Sequence, residues 1–362
     1  MTSAFLPDKL PLKSDCLDVS IFLDELISAN SKLEVYKEKI KDSKLDASWF
    51  MPTLQQKEAL ASSMLEGTQA TLDGVLINQV TPDSKNKNLR EIANYFKATT
   101  LGYRLLNREN FSHEFFFELH RVLLDGNVRK TPYPIGSYRT TQNYIGKNDN
   151  HAITYIPPEP EMVQDLMTNL IEYINNPKDS LNTLLRIAII HAQFETIHPF
   201  MDGNGRVGRM LIPMYLYEQK QIDLPCFFIS EALERDKLKY YTLLNNIRKE
   251  GNWNSWIKYF LSAVAKQCDK YIRIITEINE LYDKHLKLAS ELANPSNMVT
   301  IIDLIYQNPV ITTKIIAEET NISMASITRY LSLLVQKDVL STDNKSRNRT
   351  YICYDLLSIL RQ

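Results

Sequence analysis

The stretch His198–Arg209, HPFMDGNGRVGR, concentrates reactive side chains beside glycine. It holds three of the 10 glycines in a chain of 362 residues. The segment before it has apolar residues at helical spacing, which predicts a helix with one buried face. That helix should end at Pro199, because a proline disfavours helical geometry in the residue before it. The stretch is therefore predicted to be a loop between two helices, with His198 at its edge.

The centre of this loop favours close approach of the backbone to a ligand. Glycine and asparagine tolerate positive φ better than other residues, so Gly203, Asn204 and Gly205 can fold tightly. A second helix is expected to begin near Arg206, and free N–H groups at a helix start bind anions. Arg206 and Arg209 are three positions apart, so they share a helix face and can hold phosphates.

Two further side chains complete a possible reaction centre. Asp202 could hold Mg²⁺ against phosphate oxygens. His198, with a reference pKa near ~6.5, is suited to accept a proton at neutral pH. Together these residues predict attack of a deprotonated hydroxyl on a nucleotide phosphate. The alternative is that His198 only caps a helix and that the Gly-Asn-Gly turn is structural.

The composition restricts the class of protein. Apolar residues make up 44%, charged residues 23%, and the net charge is −1, which predicts two or three globular domains without a general affinity for nucleic acid. The four cysteines lie far apart and form no C-x-x-C pair, so neither zinc nor a disulfide framework is expected. No apolar run approaches the ~20 residues of a membrane helix, and the N-terminus does not resemble a signal peptide. We expect a soluble cytoplasmic protein with no membrane partner.

Residue patterns predict a mainly α fold. Glycine is scarce, and long runs of helix formers cover most of the chain. Two extended pieces, 136–145 and 152–158, flank the polar turn GKNDN and predict a β-hairpin. A helix with a capping box at Thr53 and Gln56 is predicted to end just before Gly67. After a hinge, the order helix, helix–turn–helix and polar-tipped hairpin predicts a winged helix.

The complete stretch at 198–209 resembles the Fic family signature HPFx[D/E]GNGRxxR at every defined position, and the similarity extends over roughly residues 90–265. Fic enzymes transfer AMP from ATP to a Tyr, Thr or Ser hydroxyl of a protein. The resemblance implies ATP as substrate, Mg²⁺ as cofactor and a hydroxyl-bearing target protein as partner. It assigns His198 as the base that deprotonates the target hydroxyl and Asp202 as the ligand of Mg²⁺.

The same resemblance assigns the nucleotide-binding residues. The glycine-rich loop forms an anion hole, Arg206 holds the β-phosphate region and Arg209 the γ-phosphate. The Ile145–Gly146 part of the hairpin acts as a flap that borders nucleotide and target. Tyr240 is assigned to the adenine pocket, although Tyr240 and Tyr241 could equally be core residues. The full implied set is Gly203, Asn204, Gly205, Arg206, Val207, Gly208, Arg209, Ile145, Gly146, Tyr240 and Glu66.

An inhibitory motif of the family, [S/T]xxxE[G/N], also has a counterpart here. Residues 62–67 read SSMLEG, so Ser62, Glu66 and Gly67 fit it. By resemblance Glu66 pairs with Arg209 and occupies the guanidinium that should hold the γ-phosphate. We therefore expect an autoinhibited enzyme with an N-terminal inhibitory helix. The plain alternative is that Glu66 is a solvated helix residue.

Four parts follow from these patterns. They are an N-terminal helical region with the inhibitory motif (1–90), a Fic-type helical core with a β-hairpin flap (91–265), a helical linker (266–295) and a winged-helix domain (296–362).

The C-terminal part leaves the choice of partner open. Residues 296–362 carry seven Lys/Arg and six Asp/Glu, whereas DNA-binding domains are usually basic. Ser323 should cap the recognition helix, from which Ser326, Thr328 and Arg329 face outward, and Lys345, Arg347 and Arg349 lie at the wing tip. DNA binding, protein binding and homodimer formation all remain open. The rival functions are a DNA-binding regulator whose core senses nucleotide and an enzyme that mainly removes AMP.

Overall fold

Helices dominate the chain, as the residue pattern predicts. The structure, a computed structural model, describes residues 3–83, 85–127, 134–147, 153–292, 294–343, 345 and 349–362. Its α-helices are α1 (Leu23–Lys41), α2 (Ala47–Leu65), α3 (Leu72–Val80), α4 (Lys87–Leu106), α5 (His113–Leu123), α6 (Pro160–Asn175), α7 (Thr183–Ile197), α8 (Asn204–Glu218), α9 (Ser230–Arg235), α10 (Lys237–Glu250), α11 (Trp253–Ser290), α12 (Pro295–Gln307), α13 (Thr313–Glu319), α14 (Met324–Gln336) and α15 (Tyr354–Arg361). Its strands are β1 (Ile145–Lys147), β2 (Ile153–Tyr155), β3 (Val310–Thr312), β4 (Ser341–Thr342) and β5 (Thr350–Ile352).

Helix α7 lies at the centre of the core. Every residue from Leu184 to Ile197 is buried, so the helix is covered on all sides and not only on the face that the sequence predicts. It packs against α6, α8, α10 and α11. Because α7 is surrounded in this way, the loop at its end has a fixed position.

Helix α2 begins earlier than predicted. It starts at Ala47 and runs through Pro52 and Thr53, so the predicted capping box at Thr53 and Gln56 is wrong. Proline removes one backbone donor but is compatible with helical φ, and here the turn before it stays helical. The end of α2 agrees with prediction: Gly67, with φ of 91°, follows shortly after Leu65.

The hairpin is shorter than the predicted extended pieces. Strands β1 and β2 are antiparallel, with Ile145 opposite Tyr155 and Lys147 opposite Ile153. Residues 136–144 are not in a strand. Positions 148–150 of the predicted turn lie outside the described residues.

The C-terminal part joins two antiparallel pairs in one sheet of order β3–β5–β4. Ser323 caps α14 through its hydroxyl, which accepts from Ser326 N–H at 3.3 Å, as predicted.

Helix α12 packs against α2, and Arg361 of α15 donates to Asp73 of α3 at 2.9 Å. Helix α11 runs without interruption through the predicted boundary between residues 265 and 266. Arg347 of the predicted wing tip lies outside the described residues.

Candidate active site

The loop between α7 and α8 is fixed by its own side chains. Phe200 is fully buried and its ring stacks on His120, with centroids 4.0 Å apart. The Asn204 side chain accepts from Phe200 N–H at 2.8 Å and donates to the Phe200 carbonyl at 2.7 Å. These contacts hold the loop in one conformation.

The glycine-rich segment differs from the sequence expectation in one respect. Positive φ occurs at Gly203, with φ of 80°, whereas Asn204 and Gly205 already belong to α8. The helix starts two residues before Arg206, and its first backbone bond runs from Val207 N–H to the Gly203 carbonyl at 3.0 Å. The amide groups of this first turn have no acceptor within the helix and are available to an anion.

Asp202 lies beside this helix start. One of its carboxylate oxygens accepts from Gly203 N–H at 2.6 Å. His120 accepts from Gly136 N–H at Nδ1, so its Nε2 carries the proton and donates to the Asp202 carbonyl at 3.1 Å. The Asp202 carboxylate also lies 3.7 Å from Arg206 Nη2 and remains partly exposed.

A cleft of about 580 Å³ opens over the loop. It brings together residues from the end of α2, the hairpin, the end of α7, the start of α8 and α10. They are Glu66, Asn143, Tyr144, Ile145, Gly146, Glu195, His198, Met201, Asp202, Gly203, Asn204, Gly205, Leu238, Tyr241, Leu244, Asn245 and Arg248.

His198 is held at the end of α7 in a left-handed conformation, with φ of 51° and ψ of 60°. Its Nδ1 atom is buried, so Nε2 is the ring nitrogen that can reach a ligand in the cleft. Burial lowers the pKa of His198 well below its usual range, and Arg248 and Arg139 lower it further. The imidazole is therefore uncharged at neutral pH and able to accept a proton.

Arg209 is engaged by the end of α2. Its guanidinium, 1% exposed, donates to the Ser62 hydroxyl at 2.8 Å, to the Ser62 carbonyl at 2.9 Å and to Glu66 at 2.7 Å. Burial alone would lower the pKa of Arg209, but the Glu66 carboxylate raises it above its usual range. A Cβ atom at Gly205 would overlap the Glu66 carboxylate, so this glycine makes room for the contact.

Arg206 lies deeper than the resemblance implies. It is fully buried and pairs with Glu91 of α4 at 2.5 Å. Glu91 also accepts from the Thr68 hydroxyl at 2.7 Å. This guanidinium is directed at a carboxylate of the core, and it does not line the cleft.

Four other implied nucleotide contacts also lie outside the cleft lining, and one of them is Arg209. Val207 is fully buried, and the Gly208 carbonyl lies 2.9 Å from His191 Nδ1. Tyr240 is 1% exposed, and its hydroxyl lies 3.0 Å from His191 Nε2, so the structure places it in the core. Its neighbour Tyr241 lines the cleft. Ile145 and Gly146, which the resemblance assigns to the flap, also line the cleft.

Residue patterns did not indicate Glu195 or Arg248, yet both line the cleft. Burial raises the pKa of Glu195 to about 7, although Arg209 opposes this. A Cβ atom at Gly208 would overlap the Glu195 carboxylate. The only local signal was position: Glu195 precedes His198 by three residues and so shares its helix face.

The described part of the chain holds no group of three or more His, Cys, Asp or Glu side chains arranged to bind a metal ion. The helices of that part include none with the length and apolar character needed to cross a bilayer.

Comparisons with known proteins agree with the signature. A sequence profile of the Fic/DOC family matches residues 110–216, and one of the Fic/DOC family N-terminal region matches residues 23–104. Protein adenylyltransferase fic-1 of Caenorhabditis briggsae is 27% identical over 177 residues, which are 48% of this chain and 31% of that protein. Protein adenylyltransferase Fic of Culex quinquefasciatus is 28% identical over 223 residues, 61% of this chain and 39% of that protein. The chain thus spans about a third of the length of these relatives.

Solved structures show the same fold. A Fic family protein from Desulfovibrio desulfuricans G20 has a TM-score of 0.61 at 16% identity and covers 96% of this chain and 98% of its own. A fragment of Fic-1 from Caenorhabditis elegans has a TM-score of 0.53 at 19% identity, with 70% of this chain and 72% of its own covered. Because both profiles match in order and the signature at 198–209 is complete, the chain belongs to the Fic/DOC family.

Proposed function

We propose that this protein is a nucleotidyltransferase that moves AMP from ATP to a Tyr, Thr or Ser hydroxyl of a target protein, and to itself. One observation carries the proposal: His198 and the start of α8 face the same cleft. An uncharged imidazole there can accept a proton while the helix start holds phosphates. The names of the relatives, protein adenylyltransferases, support the same activity.

The reaction assigns one role to each side of the cleft. His198 Nε2 takes the proton of the target hydroxyl, whose oxygen forms a bond to the α-phosphorus of ATP. The bond from that phosphorus to the bridging oxygen breaks, and diphosphate leaves. The amides of Asn204 and Gly205 bind the phosphate oxygens, where fixed donors stabilise the charge that develops, while the Gly203 amide holds the Asp202 carboxylate beside them.

The donor set fits Mg²⁺ bound together with a nucleotide. Mg²⁺ is commonly held by one or two carboxylates plus substrate phosphates, not by a cage of protein ligands. Asp202 supplies one partly exposed carboxylate next to the helix start. When bound there, the ion would neutralise phosphate charge, and Asp202 would hold it.

Glu66 is proposed to inhibit the enzyme. Its carboxylate pairs with Arg209 and lies over Gly205, where it occupies the position that the resemblance assigns to the γ-phosphate. Two anions beside one guanidinium repel each other, so ATP must displace Glu66 or bind in an unproductive pose. In the same location Glu66 could assist AMP removal from the target, which is the alternative activity of this site.

The hairpin is proposed as the flap that positions the target. Ile145 and Gly146 border the cleft, and among the described residues β1 pairs only with β2. An extended segment of the target can therefore add as a strand along the other edge of β1.

We also propose that residues 296–362 form a winged-helix domain, and we retain the division 1–90, 91–265, 266–295 and 296–362. The order α12, β3, α13, α14, β4, β5 supports this.

Arg329 and Thr328 of α14 are exposed, which keeps DNA binding as a second candidate function. A gel-shift series against salt tests it, and no shift at low salt argues for a protein partner or a homodimer instead. A cytoplasmic location is proposed as well.

The test of the enzymatic proposal uses ATP labelled at the α-phosphate. The Glu66→Gly protein should label itself and a protein in a cell lysate, whereas Glu66→Gly combined with His198→Ala should not. ATP labelled at the γ-phosphate is the matched control and should leave no label. Label from γ-ATP would show phosphate transfer, and label in the His198→Ala protein would remove His198 as the base. Incubating labelled target with wild-type protein, and measuring loss of label, tests AMP removal.

A further inference from the structure

The end of α7 has an unusual set of hydrogen-bond donors. A helix leaves its last carbonyl groups without partners inside the helix. Here Arg248 donates to the Glu195 carbonyl at 3.0 Å, and the Tyr155 hydroxyl donates to the Thr196 carbonyl at 2.6 Å. Arg139 donates to the Ile197 carbonyl at 3.4 Å and to the His198 carbonyl at 2.9 Å. Consecutive carbonyls around His198 are therefore held by side chains from outside the helix.

These donors, which we call the carbonyl cap (Arg139, Tyr155 and Arg248), are themselves fixed. The guanidinium of Arg248 lies 4.0 Å from the ring centroid of Tyr155 and also donates to Asn245 at 3.0 Å. Arg139 donates to the Pro158 carbonyl at 2.5 Å, and its own N–H donates to the Pro199 carbonyl at 2.8 Å. Arg139 is 3% and Arg248 8% exposed, so both positive charges are buried next to His198.

Electrostatics make this arrangement informative. The C-terminal end of a helix carries partial negative charge, which normally stabilises a protonated histidine and raises its pKa. A histidine that must accept a proton at neutral pH needs the opposite environment. Two guanidinium groups bonded to the carbonyls of this end cancel the negative charge and repel an imidazolium.

We propose that Arg139 and Arg248 are positioning residues that fix His198 in its left-handed conformation and keep its imidazole uncharged, ready to accept a proton. The proton transfer itself rests on the proposed function, but the effect on His198 does not. Left-handed φ is unfavourable for a residue other than glycine, so surrounding bonds must impose it. The bonds of Arg139 to the carbonyls on both sides of the His198 α-carbon do this.

The charged groups around His198 either raise or lower the pKa of its imidazole. Glu66, from the end of α2, and the Glu195 carbonyl, on α7, raise the pKa of His198. Burial lowers this pKa most, and then Arg248 of α10 and Arg139 before β1 lower it further. Asp202 lies in the same cleft, four residues along the loop. Removing a guanidinium should therefore shift the balance toward the imidazolium.

The experiment measures the pKa of His198 directly by NMR titration of its imidazole, with the signal assigned by its disappearance in His198→Gln. Arg248→Gln and Arg139→Gln should each raise this pKa by about one pH unit or more. Arg248→Lys, which keeps the charge, should stay closer to wild type. Tyr155→Phe removes a neutral donor of the carbonyl cap and should leave the pKa in place, which separates charge from loosening of the helix end.

Arg186→Gln is the matched control for loss of a buried guanidinium. Arg186 is 7% exposed and pairs with Asp179 at 2.9 Å at the other end of α7. Its loss should weaken the fold but not move the His198 titration. An unchanged pKa in both folded Arg→Gln proteins overturns the inference. So does a wild-type pKa at or above the ordinary ~6.5, a measurement that needs no variant.

The pH profile of AMP transfer in the Glu66→Gly protein gives a second readout. Adding Arg248→Gln should move the acid limb of the profile to higher pH. A shifted NMR titration without AMP transfer by any protein would refute the proposed function and leave the inference standing. AMP transfer together with an unshifted His198 titration would support the proposed function and overturn the inference.

Discussion

Helix α8 carries two arginine–glutamate pairs three residues apart, and they differ in how firmly the glutamate is held. Glu91, paired with Arg206, keeps 8% of its side chain exposed and is bonded to Thr68 as well. Glu66, paired with Arg209, keeps 26% of its side chain exposed. Glu91 lies within α4, whereas Glu66 lies in the turn after α2, beside Gly67 with its positive φ. The first pair is part of the core, whereas the second leaves its glutamate in contact with solvent.

The two pairs on α8 should therefore differ in how easily the glutamate can be withdrawn from its arginine. Withdrawing Glu91 would leave a fully buried guanidinium without its carboxylate, which strongly destabilises a fold. Arg209 is buried as well, but it keeps its bonds to the Ser62 hydroxyl and carbonyl when Glu66 leaves. Glu66 in turn can exchange contact with Arg209 for contact with water in the cleft, so its departure is less unfavourable than that of Glu91. Of the two pairs, the second is therefore the one that fits the proposed restraint on nucleotide binding.

The largest expected effect is on stability and comes from Glu91→Gln. Breaking the buried pair with Arg206 should lower the free energy of unfolding by about 3 kcal/mol. Urea unfolding of wild type and variant measures this. Self-labelling with AMP should not rise, since Arg209 stays engaged. A variant as stable as wild type would show that the Arg206 pair is not part of the core support.

Glu66→Gly should have the next largest effect, on activity. A hydrogen bond between charged groups contributes about 1.5–3 kcal/mol, so its loss should raise self-labelling from α-labelled ATP about tenfold or more. Thermal stability should change little. Glu66→Gln, which keeps the side-chain length without the charge, should fall between wild type and Glu66→Gly. Equal labelling by all three proteins would end the idea that Glu66 restrains the site.

Ser62→Ala should act in the same direction but more weakly. Arg209 would lose the hydroxyl acceptor at 2.8 Å and keep the Ser62 carbonyl and Glu66. One such bond contributes about 1 kcal/mol, which corresponds to roughly a fivefold rise in self-labelling. Ser63→Ala, one residue along and also buried, is the matched control and should not raise labelling. A larger effect from Ser63→Ala would place the restraint elsewhere on α2.

The sequence allowed much of this site to be predicted because its key residues are local in the chain. The loop at 198–209, the helix start and the end of α2 all carry short patterns with a physical reading. Glu91, Arg139 and Arg248 carry none, since they reach the site across 53 to 115 residues of chain. Tyr241 lines the cleft while Tyr240 is buried, a difference that a short pattern does not reveal, because adjacent helix residues point about 100° apart. The start of α2 was missed because packing of this helix outweighs the local signals around Pro52 and Thr53.

A second carboxylate near Arg209 sharpens the comparison, because Glu195 forms no ion pair among the described side chains. Its pKa is raised to about 7 by burial, so the folded state holds this proton where the unfolded chain has released it. Stability should then be highest below the ordinary pKa of glutamate and fall as pH rises toward 7. Glu195→Gln removes that dependence, so the variant should come close to wild type near pH 4.5 and exceed it by about 3 kcal/mol at pH 8. Glu58 shares the raised pKa of about 7 and remains in both proteins, so the difference between the two urea-unfolding curves isolates Glu195. A variant less stable than wild type at pH 8 would mean that Glu195 is ionised and bound to Arg209, which would make it a third partner in the restraint.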